Sequence, residues 1–292
     1  MKHSFSGSSA WVTGASSGLG AEFARQLAPE VACLILTARR KERLCELACE
    51  IERKQPKVRV IVAPADLTAP DDIEKVIDQL AAERIEVDLL VNNAGIGDFG
   101  LFYHADPARL SRMLDLNVKA FTLLLWWLLP GMIRRAKGCI INVGSIAGLR
   151  PVPFYAAYAA SKAYVHSLTH GLAWELAGSG VTLTQVSPAS VATEFFERAA
   201  RCPGDRERIG GPPFLWTTAE EVVRCSLAAA RRGKPQVTPG FLPSLCASIF
   251  SVVPISLLGR VYRAALSKKW KRGGELAQER MWAEKQRDGR PL

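Results

Sequence analysis

Short apolar runs alternate with longer amphipathic segments over the first 240 residues of the chain. The runs that predict strands are residues 10–12, 31–37, 58–63, 87–91, 139–143 and 181–186, with a weaker seventh at 235–238. The segments between them that predict helices are residues 18–28, 41–54, 71–83, 109–134, 155–177 and 219–231. Strands and helices that alternate in this way are typical of βαβ units. The pattern therefore predicts an α/β fold, a doubly wound and mostly parallel sheet with helices on both faces.

The character of the chain changes after Gly240. Residues 1–240 contain no internal repeat and no low-complexity linker, so they predict one domain. Residues 241–258 are uncharged, and from Arg260 onward ten Lys and Arg face four Asp and Glu, a local excess of six positive charges. We expect a helical C-terminal extension over 241–292 that is first apolar and then basic.

This extension has two interpretations. An apolar run followed by basic residues suits peripheral membrane contact through 241–272, or a cover over a lipid-like substrate site. The alternative is a helix packed on the domain with its basic face in water. A full membrane span is disfavoured because the run is only about 18 residues long and carries Pro243 and Pro254.

Charge and cysteine content narrow the classes of partner. The formal charge of +10 favours an acidic partner such as nucleic acid, anionic lipid or a phosphorylated cofactor. No recognition motif accompanies the basic tail, so nucleic-acid binding is not expected. The seven cysteines form no CxxC pair, which predicts neither a metal site nor a disulfide framework. A reducing cytoplasm fits this usage, as does an N-terminus without the apolar core of a signal peptide.

A glycine-rich loop follows the first predicted strand. The chain reads Thr13-Gly14-Ala15-Ser16-Ser17-Gly18-Leu19-Gly20, and a predicted helix follows at once. Glycines here let the backbone turn sharply and approach a pyrophosphate, whose charge is favoured at a helix N-terminus. A tight structural turn is the alternative, but the position between strand and helix favours a dinucleotide. The predicted contacts are Gly14, Ser16, Ser17, Gly18, Leu19 and Gly20.

Two arginines predict which dinucleotide binds. Nineteen residues past Gly20, where an acid would normally accept a hydrogen bond from the ribose of NAD, the chain has Arg39 and Arg40. Guanidinium groups bind a 2′-phosphate through charge-assisted, often bidentate hydrogen bonds. NADP(H) is therefore the predicted cofactor, with Arg39 the stronger candidate. The alternative is that these side chains are solvated charges at the start of the second helix.

Polar residues with catalytic potential lie at or near the ends of the later strands. Tyr158 and Lys162 are four residues apart in a predicted helix, so one helical face presents both. A tyrosine and a lysine at this spacing occur on many helices, so the pair indicates catalysis only together with the polar residues at the neighbouring strand ends. Ser145 follows the strand 139–143, at the carboxyl edge of the sheet where ligands of such folds bind. Asn92-Asn93-Ala94-Gly95 ends the strand 87–91 at the same edge, and Asn117 follows within the next helix.

The motifs TGxxxGxG, NNAG, Ser145, YxxxK and Asn117, in this order, resemble the short-chain dehydrogenase/reductase family over residues 8 to about 240. The resemblance implies a single Rossmann-type domain with strand order 3-2-1-4-5-6-7. It also implies an NADP(H)-dependent oxidoreductase that acts on a carbonyl or alcohol and assembles as a dimer or tetramer. A subunit interface at the apolar helix 121–129 agrees with this, whereas Pro130 and Gly131 cut that helix short for a membrane span.

The same resemblance implies residue roles. Tyr158 protonates the carbonyl oxygen, Ser145 hydrogen-bonds that oxygen, Lys162 holds the nicotinamide ribose, and Asn117 supports a water-linked proton path. Further implied cofactor contacts are Asp66, Leu67, Asn93, Ala94, Gly95, Tyr158, Lys162, Val191 and Thr193. Ala189 stands where the family usually has glycine.

The chemistry of the tyrosine can also be argued from the residues. A phenol has an ordinary pKa of ~10 and needs roughly three pH units of lowering to exchange protons near neutrality. An ammonium about 4 Å away contributes roughly 4 kcal/mol at an effective dielectric of 20, which corresponds to about three pH units. We therefore expect Lys162 to lower the pKa of Tyr158.

Residues 194–217 predict a lid over the substrate. They mix Phe195, Phe196, Phe214 and Trp216 with glycine and proline, so the expected ligand is apolar: a ketone, aldehyde, acyl chain or steroid-like ring. A non-catalytic NADPH-binding regulator on the same fold is the alternative function. The intact Ser145, Tyr158 and Lys162 argue against it, because a sensor does not need an acid-base relay.

Overall fold

The fold is seen in a computed structural model that describes residues 3–201 and 212–270, with side chains described up to residue 262 in the last helix. The strands are β1 (Ser9–Thr13), β2 (Cys33–Thr37), β3 (Arg59–Val62), β4 (Leu89–Asn92), β5 (Gly138–Val143), β6 (Val181–Val186), β7 (Ser190–Val191), β8 (Trp216–Thr217) and β9 (Gln236–Val237). Seven of them form one parallel sheet in the order β3-β2-β1-β4-β5-β6-β9. This confirms the predicted order, with β9 as its seventh strand. The two short strands β7 and β8 pair separately.

Helices cover both faces of the sheet, as the alternation of the sequence predicts. They are α1 (Gly18–Leu27), α2 (Lys41–Lys54), α3 (Pro70–Ala82), α4 (Pro107–Leu114), α5 (Phe121–Arg134), α6 (Ala156–Glu175), α7 (Phe195–Ala199), α8 (Ala219–Arg231), α9 (Phe241–Val252) and α10 (Ile255–Trp270). Because side chains alternate along a strand, Ala10 and Val12 of β1 pack with α1, α2 and α8, while Trp11 packs with α3 and α5 on the other face. Burial of both faces explains why the central strands are mostly apolar and do not alternate between apolar and polar residues.

The region predicted as one helix over 109–134 differs from that expectation. It consists of α4 and α5 joined by a π-helical turn, Asp115–Ala120. The turn contains Asn117, whose side chain is buried and hydrogen-bonded to the backbone of Ile96 and to Ser161. Such π-helical turns are often found at functional sites. Residue periodicity cannot reveal this turn, because one wider turn hardly disturbs the apolar spacing.

Parallel strands place all their carboxyl ends on one edge of the sheet. The glycine-rich loop follows β1, Asn93 follows β4, Ser145 follows β5 and Pro188 follows β6. The loops that carry the predicted chemistry therefore meet at this edge.

The C-terminal extension is helical as far as residue 270, and its residues 271–292 lie outside the described part. The chain bends by 116° between α9, Phe241–Val252, and the first part of α10, Ile255–Tyr262. Both helices present apolar side chains to solvent, with Phe241 82% and Val252 77% exposed.

Within the described residues, one helical stretch is long and apolar enough to cross a membrane. It is Pro107–Arg134, and 33% of its apolar window is buried inside the protein. The bent pair formed by α9 and the start of α10 passes the same test jointly. Core helices of soluble proteins meet the same criteria, so these two features alone are weak evidence of a span.

Candidate active site

A cavity of about 760 Å³ opens at the carboxyl edge of the sheet. The structure gathers around it nearly all the residues predicted from the sequence. Those that line it are Gly14, Ser16, Ser17, Gly18, Leu19, Arg39, Arg40, Asp66, Leu67, Asn93, Ala94, Gly95, Ser145, Tyr158, Lys162, Val191 and Thr193. Gly20 and Asn117 lie behind this wall rather than on it. Ala189, the departure from the family pattern, also lines the cavity; its φ is not among the positive values of the described non-glycine residues, so the Cβ is tolerated.

The glycine-rich loop at one end is shaped by close backbone contacts. Gly14 and Gly18 have positive φ angles of 68° and 55°, which favour glycine. A Cβ on Gly20 would lie 2.3 Å from the carbonyl oxygen of Gly14 and 2.7 Å from Nδ2 of Asn93. Asn93 braces the loop in return, because its Nδ2 donates to the Thr13 carbonyl at 2.8 Å. The NNAG motif thus holds the shape of the loop that the first motif forms.

This loop fits the pyrophosphate of a dinucleotide. It leads into α1, whose first turn carries no acidic residue. Its glycines leave room that a Cβ would fill, so a ligand can approach the backbone closely. Residues Arg39 and Arg40 lie beside it: Arg39 is exposed, whereas Arg40 donates to Ser16 Oγ and Ser17 Oγ at 3.0 Å each.

Replacement of Gly20 by alanine tests this packing. The new methyl group must displace the backbone of Gly14, so we expect a loss of about 1–3 kcal/mol in the free energy of unfolding and weaker dinucleotide binding. The matched control is Gly171→Ala in α6, where no atom lies within 4 Å of an added Cβ. The free energy of unfolding of that variant should increase by about 0.5–1 kcal/mol, because alanine has a higher helix propensity than glycine. Thermal and denaturant unfolding measure the free energy of unfolding of both variants. Equal changes in Gly20→Ala and Gly171→Ala would show that a Cβ is tolerated at Gly20.

Three polar side chains converge at the other end of the cavity. Tyr158 and Lys162 project from α6 and are buried, with 6% and 5% of their surface exposed. Ser145 precedes a short 3₁₀ turn after β5, and its Oγ accepts a hydrogen bond from the Ala147 N–H at 3.1 Å. Ser145 also lies near the phenol, and its side chain lowers the pKa of Tyr158 against the larger effect of burial. The serine, the phenol and the ammonium therefore line the same cavity.

Lys162 does not act on the phenol as expected from the sequence. Its Nζ donates to the Val143 carbonyl at 2.9 Å and lies 5.9 Å from the centroid of the Tyr158 ring. Burial raises the pKa of Tyr158 to about 12, although the side chain of Ser145 acts in the opposite direction. Burial also lowers the pKa of Lys162 to about 8. The expectation of a lowered tyrosine pKa was wrong for these side chains alone, because it counted one charge contact and left out desolvation.

Asn117 occupies the space behind Gly95. Its Oδ1 accepts from the Ile96 N–H at 3.0 Å, and its Nδ2 donates to Ser161 Oγ at 3.1 Å. A Cβ on Gly95 would lie 3.1 Å from Asn117 Oδ1 and 3.3 Å from Lys162 Nζ. Glycine at this position therefore lets the amide and the ammonium approach from two sides. The proton path through Asn117 stays a prediction.

An aromatic wall lies beside Tyr158. Its core is Phe99 with Phe154, Tyr155, Phe195 and Phe196. The ring of Phe195 lies 5.5 Å from that of Tyr158, centroid to centroid. Sequence reasoning missed Phe99 and Phe154, because they lie in loops without periodicity; an aromatic residue soon after a strand end is the only signal they offer.

Residues of the segment 194–217 and of the C-terminal extension complete this wall. Residues 202–211 of the predicted lid lie outside the described part; of its described aromatic residues, Phe195 and Phe196 line the cavity. Phe214 is 54% exposed and does not line it, and Trp216 packs against Phe196 instead. The extension contributes Cys246, Ala247, Phe250 and Tyr262. The substrate end of the cavity is therefore built from three separate parts of the chain.

Comparison with known proteins decides the family. A family model described as short chain dehydrogenase matches residues 8–202. The chain belongs to the short-chain dehydrogenase family. It is 34% identical over 260 residues to the very-long-chain 3-oxoacyl-CoA reductase of Anas platyrhynchos, a match that covers 86% of this chain and 78% of that protein.

Solved structures share the fold. A short-chain dehydrogenase from Sphingobium yanoikuyae in complex with NADPH superposes with a TM-score of 0.72 at 30% identity, over 85% of this chain and 96% of that one. A family protein from Burkholderia phymatum in complex with NAD gives a TM-score of 0.74 at 24% identity, over 85% and 93%. This short-chain dehydrogenase is thus an oxidoreductase by family, and its family uses nicotinamide cofactors.

Proposed function

We propose that this short-chain dehydrogenase is an NADP(H)-dependent oxidoreductase of hydrophobic carbonyl compounds and alcohols. One observation carries the proposal: Ser145, Tyr158 and Lys162 meet in the same cavity as the glycine-rich loop and Arg39. Bound at that loop, a nicotinamide cofactor supplies or accepts the hydride. The non-catalytic alternative has no support among the relatives, which are named as reductases and dehydrogenases.

The chain's own residues then supply the proton chemistry. With its pKa raised to about 12, Tyr158 is protonated at neutral pH and can donate the Oη proton to a carbonyl oxygen. Ser145 lines the cavity beside that phenol, and its Oγ holds the same carbonyl oxygen. Lys162, with a pKa lowered to about 8, exchanges a proton near neutrality and supports the return of a proton to the phenol.

The wall around these groups supports an apolar substrate. Phe99, Phe154, Tyr155 and Phe195 enclose the space beside Tyr158, and aromatic walls stabilise apolar ligands by area and ring contacts. The named substrate of the 3-oxoacyl-CoA reductase relative, an acyl chain with a ketone, is of this class.

Turnover of apolar carbonyls tests this function directly. Purified protein is incubated with NADPH and a panel of long-chain 3-oxoacyl, aromatic and steroid-like ketones and aldehydes, with short polar carbonyls as the control. We expect NADPH oxidation to be faster with the apolar panel. Tight NADPH binding without turnover of any compound would favour a non-catalytic role instead.

The choice of NADP(H) over NAD(H) is tested at Arg39 and Arg40. Charge-assisted hydrogen bonds to a phosphate contribute about 1.5–3 kcal/mol, so removal of either guanidinium should raise KM for NADPH about tenfold to a hundredfold. KM for NADH should hardly change. Arg53→Ala, an exposed arginine of α2 outside the cavity lining, is the control. Equal efficiency of NADPH and NADH in the wild type would overturn the assignment.

We also propose that the extension contacts a membrane surface and that the protein is a homo-oligomer. Outside the cavity lining, α9 exposes Phe241, Leu245, Ile249 and Val252, and α10 exposes Ile255 and Val261. Exposed Trp126 and Trp127 of α5 mark the proposed subunit interface.

Vesicle flotation separates membrane contact from nonspecific adhesion. Phe241→Asp with Val252→Asp should abolish flotation with vesicles that contain anionic lipid, because both side chains are more than three-quarters exposed. Trp174→Asp is a control of equal exposure, 77%, near the end of α6 that lies away from the cavity. Flotation unaffected by the double variant would contradict membrane contact through this surface.

A further inference from the structure

The carboxylate of Glu194 lies among three arginines. Its Oε2 is 3.3 Å from Arg40 Nη1, and it also pairs with Arg43 and Arg198. Its side chain is 35% exposed, so these pairs are partly shielded from water. Together the arginines hold the pKa of Glu194 below its usual range, and the group stays ionised at neutral pH.

This cluster lies on the cofactor loop. Arg40 Nη2 contacts Ser16 Oγ and Ser17 Oγ at 3.0 Å each, while Nη1 of the same guanidinium contacts Glu194. The residue before Glu194 packs against the loop as well, since a Cβ on Gly18 would lie 3.2 Å from Thr193 Cβ. Ser16, Arg40 and Glu194 all line the cavity.

We infer that Glu194 is a specificity-determining residue that competes with the 2′-phosphate of the cofactor for Arg40. The inference rests on the proposed function, in which Arg39 and Arg40 bind that phosphate. A phosphate monoester carries about −1.5 to −2 charges at pH 7. Such a group and a carboxylate repel each other within a few ångströms, so NADP(H) must displace Glu194 or bind against its charge. NAD(H) has no 2′-phosphate and meets no such competition.

Glu194 is also adjacent in the chain to the aromatic wall beside Tyr158. Glu194 directly precedes α7, and the next residue, Phe195, lies 5.5 Å from Tyr158 between ring centroids. The pairing of Glu194 with Arg40 therefore lies one residue from the ring that packs beside Tyr158.

The test compares two ligands that differ only in the 2′-phosphate, adenosine 2′,5′-bisphosphate and adenosine 5′-monophosphate. Their dissociation constants are measured by calorimetry for the wild type, Glu194→Gln and Glu194→Ala. The preference for the bisphosphate should increase about three- to tenfold in both variants, while binding of the monophosphate stays unchanged. The alanine variant covers the case in which glutamine keeps hydrogen bonds to the arginines. Glu50→Gln is the control, a carboxylate paired with Arg25 and Lys54 outside the cavity lining.

The outcomes separate this inference from the proposed function. Equal binding of the two ligands by the wild type and by both Glu194 variants would overturn both, because no phosphate site would exist. A wild type that prefers the bisphosphate, with the same or a smaller preference in both Glu194 variants, would overturn the inference alone. That result would show that Glu194 holds the arginines in position for the phosphate and does not compete with it. Circular dichroism of each variant verifies that the fold is retained.

Discussion

Replacement of Tyr158 by phenylalanine should lower kcat for carbonyl reduction by about 10²–10⁴-fold, the contribution of a positioned general acid. The phenol is buried and lines the cavity together with Ser145, and phenylalanine removes its hydroxyl while keeping the ring. NADPH binding should change little, because the ring remains and the glycine-rich loop is untouched. Steady-state kinetics together with the dissociation constant of NADPH measure the two effects.

Tyr155 provides the matched control for this variant. It lines the same cavity, and its ring lies 5.5 Å from that of Tyr158 between centroids, but Ala159 stands four residues after it where a lysine would be needed. Tyr155→Phe should keep most of the activity. A larger loss in Tyr155→Phe than in Tyr158→Phe would reverse the assignment of the proton donor.

Replacement of Lys162 by methionine should abolish turnover and yet stabilise the cofactor-free protein. Burial lowers the pKa of Lys162 from 10.5 to about 8, which corresponds to a cost of about 3 kcal/mol for the charged form in the folded state. At pH 7 this lysine is charged in both the folded and unfolded states, so the wild type bears that cost and the methionine variant does not. The lost hydrogen bond to Val143 offsets part of the gain, and we expect a net increase of about 1–2 kcal/mol.

The pH dependence distinguishes this cause from simple repacking. The unfolded state binds more protons than the folded state between pH 8 and 10.5, so wild-type stability relative to the variant rises with pH across this window. The advantage of Lys162→Met should therefore be full below pH 8 and shrink as the pH approaches 10.5. Denaturant unfolding at pH 7 and pH 9.5 measures it. A constant difference would show that the charge of Lys162 is not the cause.

The elements of the sheet could be predicted from the sequence because parallel strands are buried on both faces. Runs such as 31–37 and 139–143 are therefore mostly apolar, and the carboxyl ends of β1, β4 and β5 had to meet. That geometric necessity is enough to predict Gly14, Asn93 and Ser145 at one edge, where the cavity has them. The strand order itself came from the resemblance to the family, since residue patterns do not encode which strands are neighbours.

Other features of the site could not be predicted, because they depend on burial and on contacts between residues that are distant in the sequence. The sign of the pKa change at Tyr158 requires the degree of burial, which spacing along a helix does not contain. Glu194 and Arg40 are separated by 154 residues, so no local pattern links them. The π-helical turn at Asn117 and the bend after Val252 are likewise local departures that leave the periodicity of their neighbours intact.

Two parts of the chain line the cavity, the stretch 8–202 and the C-terminal helices, and they contribute different groups to it. The proton-handling groups lie within the stretch that matches the family, 8–202, whereas Phe250 and Tyr262 come from the helices beyond it. Substitutions in those helices can change which molecules are admitted without altering the acid-base chemistry. Substitutions in α9 and α10 are therefore the first choice for changing the substrate preference of this enzyme.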